Sequence, residues 1–193
     1  MNKYILASHN SWTYLPPKKW WMWLLRFTAK CQRLSIQEQY EHGVRCFDLR
    51  VKWIYGKMVV AHGIVQYDID DQQVVDDLIW LNDKGDCSVR LIHEVRRKLE
   101  NTLNEKTYFR NFCALVEKEL PRITFWNGKN LYDHTKDYDF GGDPTCEELY
   151  ASVMKPKWID DWWPWWYAWM NNKRIKKAGT TKDILMIDFV DIG

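Results

Sequence analysis

The sequence predicts an α/β fold built on a mainly parallel sheet. Three observations carry that expectation. Short apolar runs of strand length alternate with stretches of helical period, the order that builds βα units. The chain has 193 residues, 46% hydrophobic and 28% charged, enough for one core, so residues 1–193 read as a single domain. The turn and stop signals Gly43, Gly56 and Pro121 fall between the runs rather than inside them.

Residues 4–8 read as a first buried strand, followed by a polar and aromatic loop with Pro16-Pro17. Residues 18–34 have a helical and very aromatic pattern. Ser35 with Glu38 three positions on matches a capping box and opens a short helix that stops at Gly43. Residues 44–51 and 58–61 read as strands around a turn at Gly56. Residues 70–82 carry Val74, Leu78 and Leu81 on one helical stripe. A strand over 88–95, a helix over 105–120 and a short strand over 123–126 follow. Residues 127–147 read as a long polar loop and 147–154 as a helix. Residues 158–170 form a tryptophan cluster, 171–177 a basic stretch, and 183–190 a last strand.

Lys and Arg number 28 and Asp and Glu 26, a net charge of +2 that is too balanced for binding long nucleic acid. The five cysteines (31, 46, 87, 113 and 146) are scattered, odd in number and without zinc spacing, so neither a disulfide framework nor a zinc site is expected. The first nine residues hold an apolar run too short for a secretory signal, and no run approaches 18 apolar residues. The expected setting is the reducing cytoplasm, with peripheral contact to a membrane surface allowed.

Polar residues interrupt or end the apolar strands where they cost most. His9 follows Ile5-Leu6-Ala7, and His62 follows Met58-Val59-Val60-Ala61. Within residues 44–51, alternation puts Cys46, Asp48 and Arg50 on one face and Phe47, Leu49 and Val51 on the other. An apolar face packed on helices leaves the Asp/Arg face lining a barrel, near the strand ends where barrel enzymes keep their chemistry. A mutual ion pair is the competing account of Asp48 and Arg50, and a hydrogen-bonded core histidine that of His9 or His62 taken alone.

Three segments in order, Ala7-Ser8-His9-Asn10-Ser11, then residues 39–50 ending in Phe47-Asp48-Leu49-Arg50, then Val59-Val60-Ala61-His62-Gly63, resemble the catalytic X region of phosphatidylinositol-specific phospholipase C. Residues 184–189 look like that family's last barrel strand, while residues 120–180 match it poorly. The resemblance implies a distorted TIM barrel, shortened here because eight βα units in 193 residues leave less than the roughly 30 residues of each. It implies cleavage of a phosphodiester by a neighbouring hydroxyl to give a cyclic phosphate. His9 would be the general base, His62 the general acid and Arg50 the cation for the phosphoryl oxygens. Asp188 would orient His9, with Asn10 and Asp48 in support. No metal and no cofactor are expected. Calcium-binding members carry an acid where Arg50 stands, and a guanidinium there repels a cation. Glu94 either joins the site or pairs with Arg90 or Arg96.

Thirteen tryptophans remain to be placed. Trp20 and Trp21, behind Lys18-Lys19 and before Met22-Trp23-Leu24-Leu25, suit a lipid headgroup interface beside the site. The cluster at 158–169 fills a shortened core, joins that interface or stacks on bases. An inositol phospholipid is the expected substrate. A soluble ribonucleotide such as a cyclic dinucleotide, which also carries a neighbouring hydroxyl, is the alternative. A non-catalytic lipid- or glycan-binding module is the reading from another class.

Overall fold

The computed structural model describes residues 4–94, 103–125, 163–178 and 184–193. Among these, β1 (Ile5–Ser8), β2 (Val44–Ile54), β5 (Ser88–His93), β6 (Thr124–Phe125) and β7 (Ile184–Ile187) form a parallel run in the order β7-β1-β2-β5-β6. The second half of β2 also pairs antiparallel with β3 (Lys57–His62), which pairs with the two-residue β4 (Val65–Gln66). The parallel sheet that strand–helix alternation predicts is present. Among the described residues it is open, with β6 and β7 at its two edges. The expected loop at 127–147 and helix at 147–154 lie outside the described residues.

β2 is the hub of the sheet. Its 11 residues exceed the expected strand by three, because the chain stays extended into a hairpin with β3. Tyr55 and Gly56 make that turn with φ of 50° and 77°, the paired left-handed geometry of a two-residue hairpin loop. Phe47, Leu49 and Val51 are fully buried on one face. That side is covered by α2 (Ile36–Glu41) and α4 (Leu103–Glu119), which sends in Phe109 and Val116. Trp53 closes the layer edge-on to Phe109, Phe112 and His93.

The helices start where the sequence says they should. The Ser35 hydroxyl accepts from the Glu38 amide while the Glu38 carboxylate accepts from the Ser35 amide at 2.7 Å, completing the capping box. α3 (Asp71–Lys84) is capped by Asp70 and buries Val74, Leu78 and Leu81. Asp77 on the same helix accepts the Trp12 indole N–H at 2.8 Å, so a buried carboxylate and a buried indole satisfy each other.

Residues 18–34 depart from the expected helix. A 3-10 turn spans Trp20–Leu25, and α1 (Arg26–Ala29) is a single α-turn. Of the six residues in the 3-10 turn only Met22 is buried, so no apolar stripe lays a longer helix on the core. The chain then turns inward. The Thr13 hydroxyl accepts from the Cys31 and Gln32 amides, both at 2.9 Å, which fixes residues 31–32 against the sheet.

α5 (Pro164–Ala178) joins the end of the tryptophan cluster to the basic stretch in one helix. Core filling does not hold for its tryptophans. Trp165, Trp166 and Trp169 are 37–54% exposed, while the helix buries Tyr167 and Ala168. Trp158 and Trp162 lie outside the described residues.

Candidate active site

Seven of the nine residues singled out from the sequence meet at one end of the sheet. His9 and Asn10 follow β1, Glu94 follows β5, Asp188 follows β7, and His62 ends β3. Asp48 and Arg50 project from β2, whose parallel pairing with β5 sets Asp48 beside Arg90 and Arg50 beside Ile92. Register and alternation therefore put Arg90, Ile92 and Glu94 on the face of Asp48 and Arg50. This is the carboxyl end of the parallel strands, where open and closed α/β sheets carry their sites.

His9 is held by its Nδ1 nitrogen, 2.7 Å from the Asp188 carboxylate. The Nδ1–H donates to Asp188, which leaves the lone pair of the neutral ring on Nε2. Asp188 is itself fixed by the turn that follows β7. Asn172 of α5 donates to the Asp188 and Phe189 carbonyls at 2.7 and 3.0 Å. Gln32 donates to the carbonyls of His9 and Ile187 and accepts from the Val190 amide, clamping the ends of β1 and β7 together.

Arg50 is the electrostatic centre. Its Nε and one terminal nitrogen sit 2.9 Å from Asp48 Oδ2, and the other terminal nitrogen is 3.2 Å from Glu94. The same Asp48 oxygen accepts the Asn10 amide at 3.0 Å and lies 3.8 Å from His9 Nε2. Burial pushes the Asp48 carboxyl up, but Arg50, Arg90, His9 and the Asn10 amide together hold it below the usual carboxylate range. Asp48 Oδ1 and the whole Asn10 side-chain amide are buried with no hydrogen-bond partner among the described residues. Asn10 also adopts a left-handed backbone, φ 46°. Buried polar atoms left unmatched around a guanidinium are what a bound polar ligand would satisfy.

Of the two readings of Glu94, the structure shows it in the cluster, paired with Arg50; Arg96 lies outside the described residues. The second Glu94 oxygen accepts the Gly63 amide at 2.8 Å. Gly63, at φ 58°, takes the left-handed turn that brings this amide inward behind His62.

The His62 Nδ1–H donates to the Ala29 carbonyl at 2.9 Å, and the ring meets His9 edge to face with centroids 5.5 Å apart. Burial pushes His62 down from 6.5 to about 4; Glu94 raises it, and Arg50 and His9 lower it further. At neutral pH His62 is thus neutral. A depressed imidazole has a consequence for stability. Below pH 6.5 the unfolded chain takes up a proton that the folded chain refuses until about pH 4. Stability is present above pH 6.5 and lost across that window, by on the order of 3 kcal/mol. Urea midpoints at pH 7 and pH 4.5 should diverge for the natural protein and converge for His62→Gln; an equal drop in both would refute this.

Three residues that sequence reasoning passed over also stand here. Lys52, next on the Asp48/Arg50 face, is buried and donates to the Gly63 carbonyl at 3.3 Å. Gln32 holds the two strand ends. Cys31 is fully buried with Sγ 3.6 Å from His62 Nδ1. Lys52 was legible from period-two alternation. Nothing local marks Gln32 or Cys31, because their placement depends on Thr13. Trp20 and Trp21 stand outside the cluster, 80% and 38% exposed on the 3-10 turn.

No family model and no curated protein matches the chain. Solved structures do. Phosphatidylinositol-specific phospholipase C from Listeria monocytogenes superposes with a TM-score of 0.60 at 15% identity, over 96% of this chain and 87% of that one. The Staphylococcus aureus enzyme gives 0.56 at 16% identity, over 96% and 85% of the two chains. A pentafluoro-phenylalanine form of the S. aureus enzyme gives 0.54 at 15%, over 98% and 87%. The fold is that of bacterial phosphatidylinositol-specific phospholipase C. At these identities the likeness is one of fold, and the chemistry has to be argued from the residues.

Proposed function

We propose that residues 1–193 form one catalytic domain, a phospholipase C-like phosphodiesterase that cleaves inositol phospholipids without a metal. One observation carries the reading: a carboxylate-held imidazole, His9 with Asp188 at 2.7 Å, faces a second imidazole beside a buried arginine on the fold of a phospholipase C. The open arc of parallel strands would be the site-bearing part of a distorted β/α barrel.

In this reading His9 Nε2 takes the proton of the inositol 2-hydroxyl as its oxygen attacks phosphorus. Asp188 stabilises the imidazolium that results. Arg50 faces the charge growing on the phosphoryl oxygens. His62 gives its Nε2 proton to the departing diacylglycerol oxygen, leaving a cyclic phosphate. The arriving phosphodiester is an anion, and beside Glu94 it favours the protonated His62 that the ligand-free protein lacks. Asn10 and Asp48 offer their unmatched atoms to substrate hydroxyls. Turnover of phosphatidylinositol vesicles followed by phosphorus NMR tests the proposal, and a cyclic phosphate product is expected. Absence of any turnover beside saturable vesicle sedimentation would favour a binding module instead. The comparisons lend the cyclic dinucleotide no support, and it serves as the control substrate.

Metal independence has a geometric basis. Arg50 already lies between the Asp48 and Glu94 carboxylates, the place a hard cation would take. Activity should therefore survive EDTA unchanged. Loss on chelation with recovery on calcium would overturn this.

The aromatic surface supports a lipid rather than a soluble substrate. Trp20, Trp23, Leu24 and Phe27 are exposed, and Phe27 meets Trp163 edge-on at 6.2 Å, which extends the surface towards α5. Two residues past Phe27, the Ala29 carbonyl holds His62. Among the described residues no helix is long and apolar enough to cross a membrane. Contact would be made by half-wet indoles at the headgroup level. Trp20→Ala combined with Trp21→Ala should cut activity on vesicles at least tenfold and change activity on a soluble short-chain analogue less than twofold. Equal loss on both would remove the interfacial role.

A further inference from the structure

One donor atom from each of His9, Cys31 and His62 lies within 4.8 Å of the others. We propose that these three residues form an inhibitory site for a soft divalent cation of the zinc type, one that closes the active site by taking both histidines at once.

The donor set chooses the metal. One sulfur and two imidazoles suit zinc and its thiophilic neighbours, whereas calcium and magnesium want oxygen. The geometry is close to what zinc needs. Cys31 Sγ stands 3.6 Å from His62 Nδ1. Two ligands on one tetrahedral zinc, with bonds of about 2.3 Å to sulfur and 2.0–2.1 Å to nitrogen, are separated by about 3.6 Å. The widest separation in the cluster, at most 4.8 Å, has to shorten by about 1 Å for all three to bind one ion. His9 is already oriented as a ligand. Asp188 holds its Nδ1–H at 2.7 Å, the carboxylate-behind-imidazole arrangement that supports metal-bound histidines, and Nε2 keeps the lone pair. Three protein ligands leave the fourth position of a tetrahedral ion to solvent or an anion.

The Cys31 thiol gives up its proton to solvent and its sulfur bonds the metal. The His62 proton shifts from Nδ1 to Nε2 as Nδ1 takes the metal. The Ala29 carbonyl that loses this hydrogen bond keeps the Tyr67 hydroxyl at 2.8 Å, so no buried acceptor is orphaned. Arg50 stands nearby as a cation, but its charge is matched by Asp48 and Glu94. Cys31 has no part in the cleavage proposed above. Inhibition rests on the reading of His9 and His62 as base and acid, whereas binding does not.

The test uses the whole chain freed of metal. Cobalt titration should produce a thiolate-to-cobalt charge-transfer band that saturates at one equivalent, and Cys31→Ala should abolish it. Zinc should inhibit turnover of phosphatidylinositol vesicles, with reversal by EDTA, and Cys31→Ala should raise the concentration required at least tenfold. Cys31→Ser serves as a second variant if alanine disturbs folding. No band in the natural protein, or a band of equal strength in the Cys31 variants, overturns the site. A Cys31-dependent band without zinc inhibition supports the metal site and overturns its inhibitory role. If His9→Ala and His62→Ala also keep full turnover, the proposed function falls while the metal site stands.

Discussion

Alanine at His9 or at His62 is expected to lower turnover of phosphatidylinositol by about 10²–10⁴-fold each, the usual contribution of a positioned acid or base. The two losses should not multiply in the double variant, because base and acid act on one transition state. His9 presents Nε2 only because Asp188 occupies Nδ1, and His62 presents Nε2 only because Ala29 occupies its Nδ1. Asp188→Asn should approach the loss seen for His9→Ala, since an amide can stabilise the wrong tautomer. Initial rates on vesicles, with circular dichroism to confirm folding, are the measurement. A folded variant of either histidine within twofold of the natural rate would end the proposed mechanism.

Replacing Arg50 with Met should damage both activity and stability. The guanidinium lies between two buried carboxylates, and its removal takes away the cation that hydrogen-bonds both Asp48 and Glu94. Removing one partner of a buried ion pair costs about 3–5 kcal/mol. Loss of the charge facing the phosphoryl oxygens should cost about 10²–10³ in turnover. Arg50→Lys should recover part of the stability but little of the activity, because an ammonium cannot span both carboxylates as the planar fork does. Thermal unfolding beside vesicle assays separates the two effects. An Arg50→Met protein as stable as the natural one would show that this cluster is not held by its charges.

The sequence carried the site better than it carried its surroundings. Asp48 and Arg50 were legible because a charged residue inside an apolar strand is costly and period-two alternation fixes which face bears it. Asp188 was legible in the same way, through its phase with Ile184 and Met186. The capping box at Ser35 needed only four residues, and it formed as read. What stayed open or failed depends on distant partners. The pairing of Glu94 with Arg50 spans 44 positions and follows from the β2–β5 register, which no local pattern specifies, so its place could be given only as one of two alternatives. The aromatic run at 18–34 has helical spacing, yet only Met22 and Ala29 among residues 20–29 are buried, so tertiary contact broke it into short turns. Cys31 carried no signal, since a lone cysteine without a motif reads as a small apolar residue.

The partnership of His9 with Asp188 joins positions 179 apart in the chain. β1 and β7, which carry them, pair in parallel through all four of their residues. Closing a loop of that length is entropically costly, and the contact returns free energy only once the strands between have been set. The orientation of the His9 imidazole therefore waits for β7 to dock. An intermediate in which β1, β2 and β5 have paired, but β7 has not docked, holds His9, Arg50 and His62 without the carboxylate that selects the working tautomer. In the proposed mechanism, catalytic competence is thereby tied to the docking of β7 on β1.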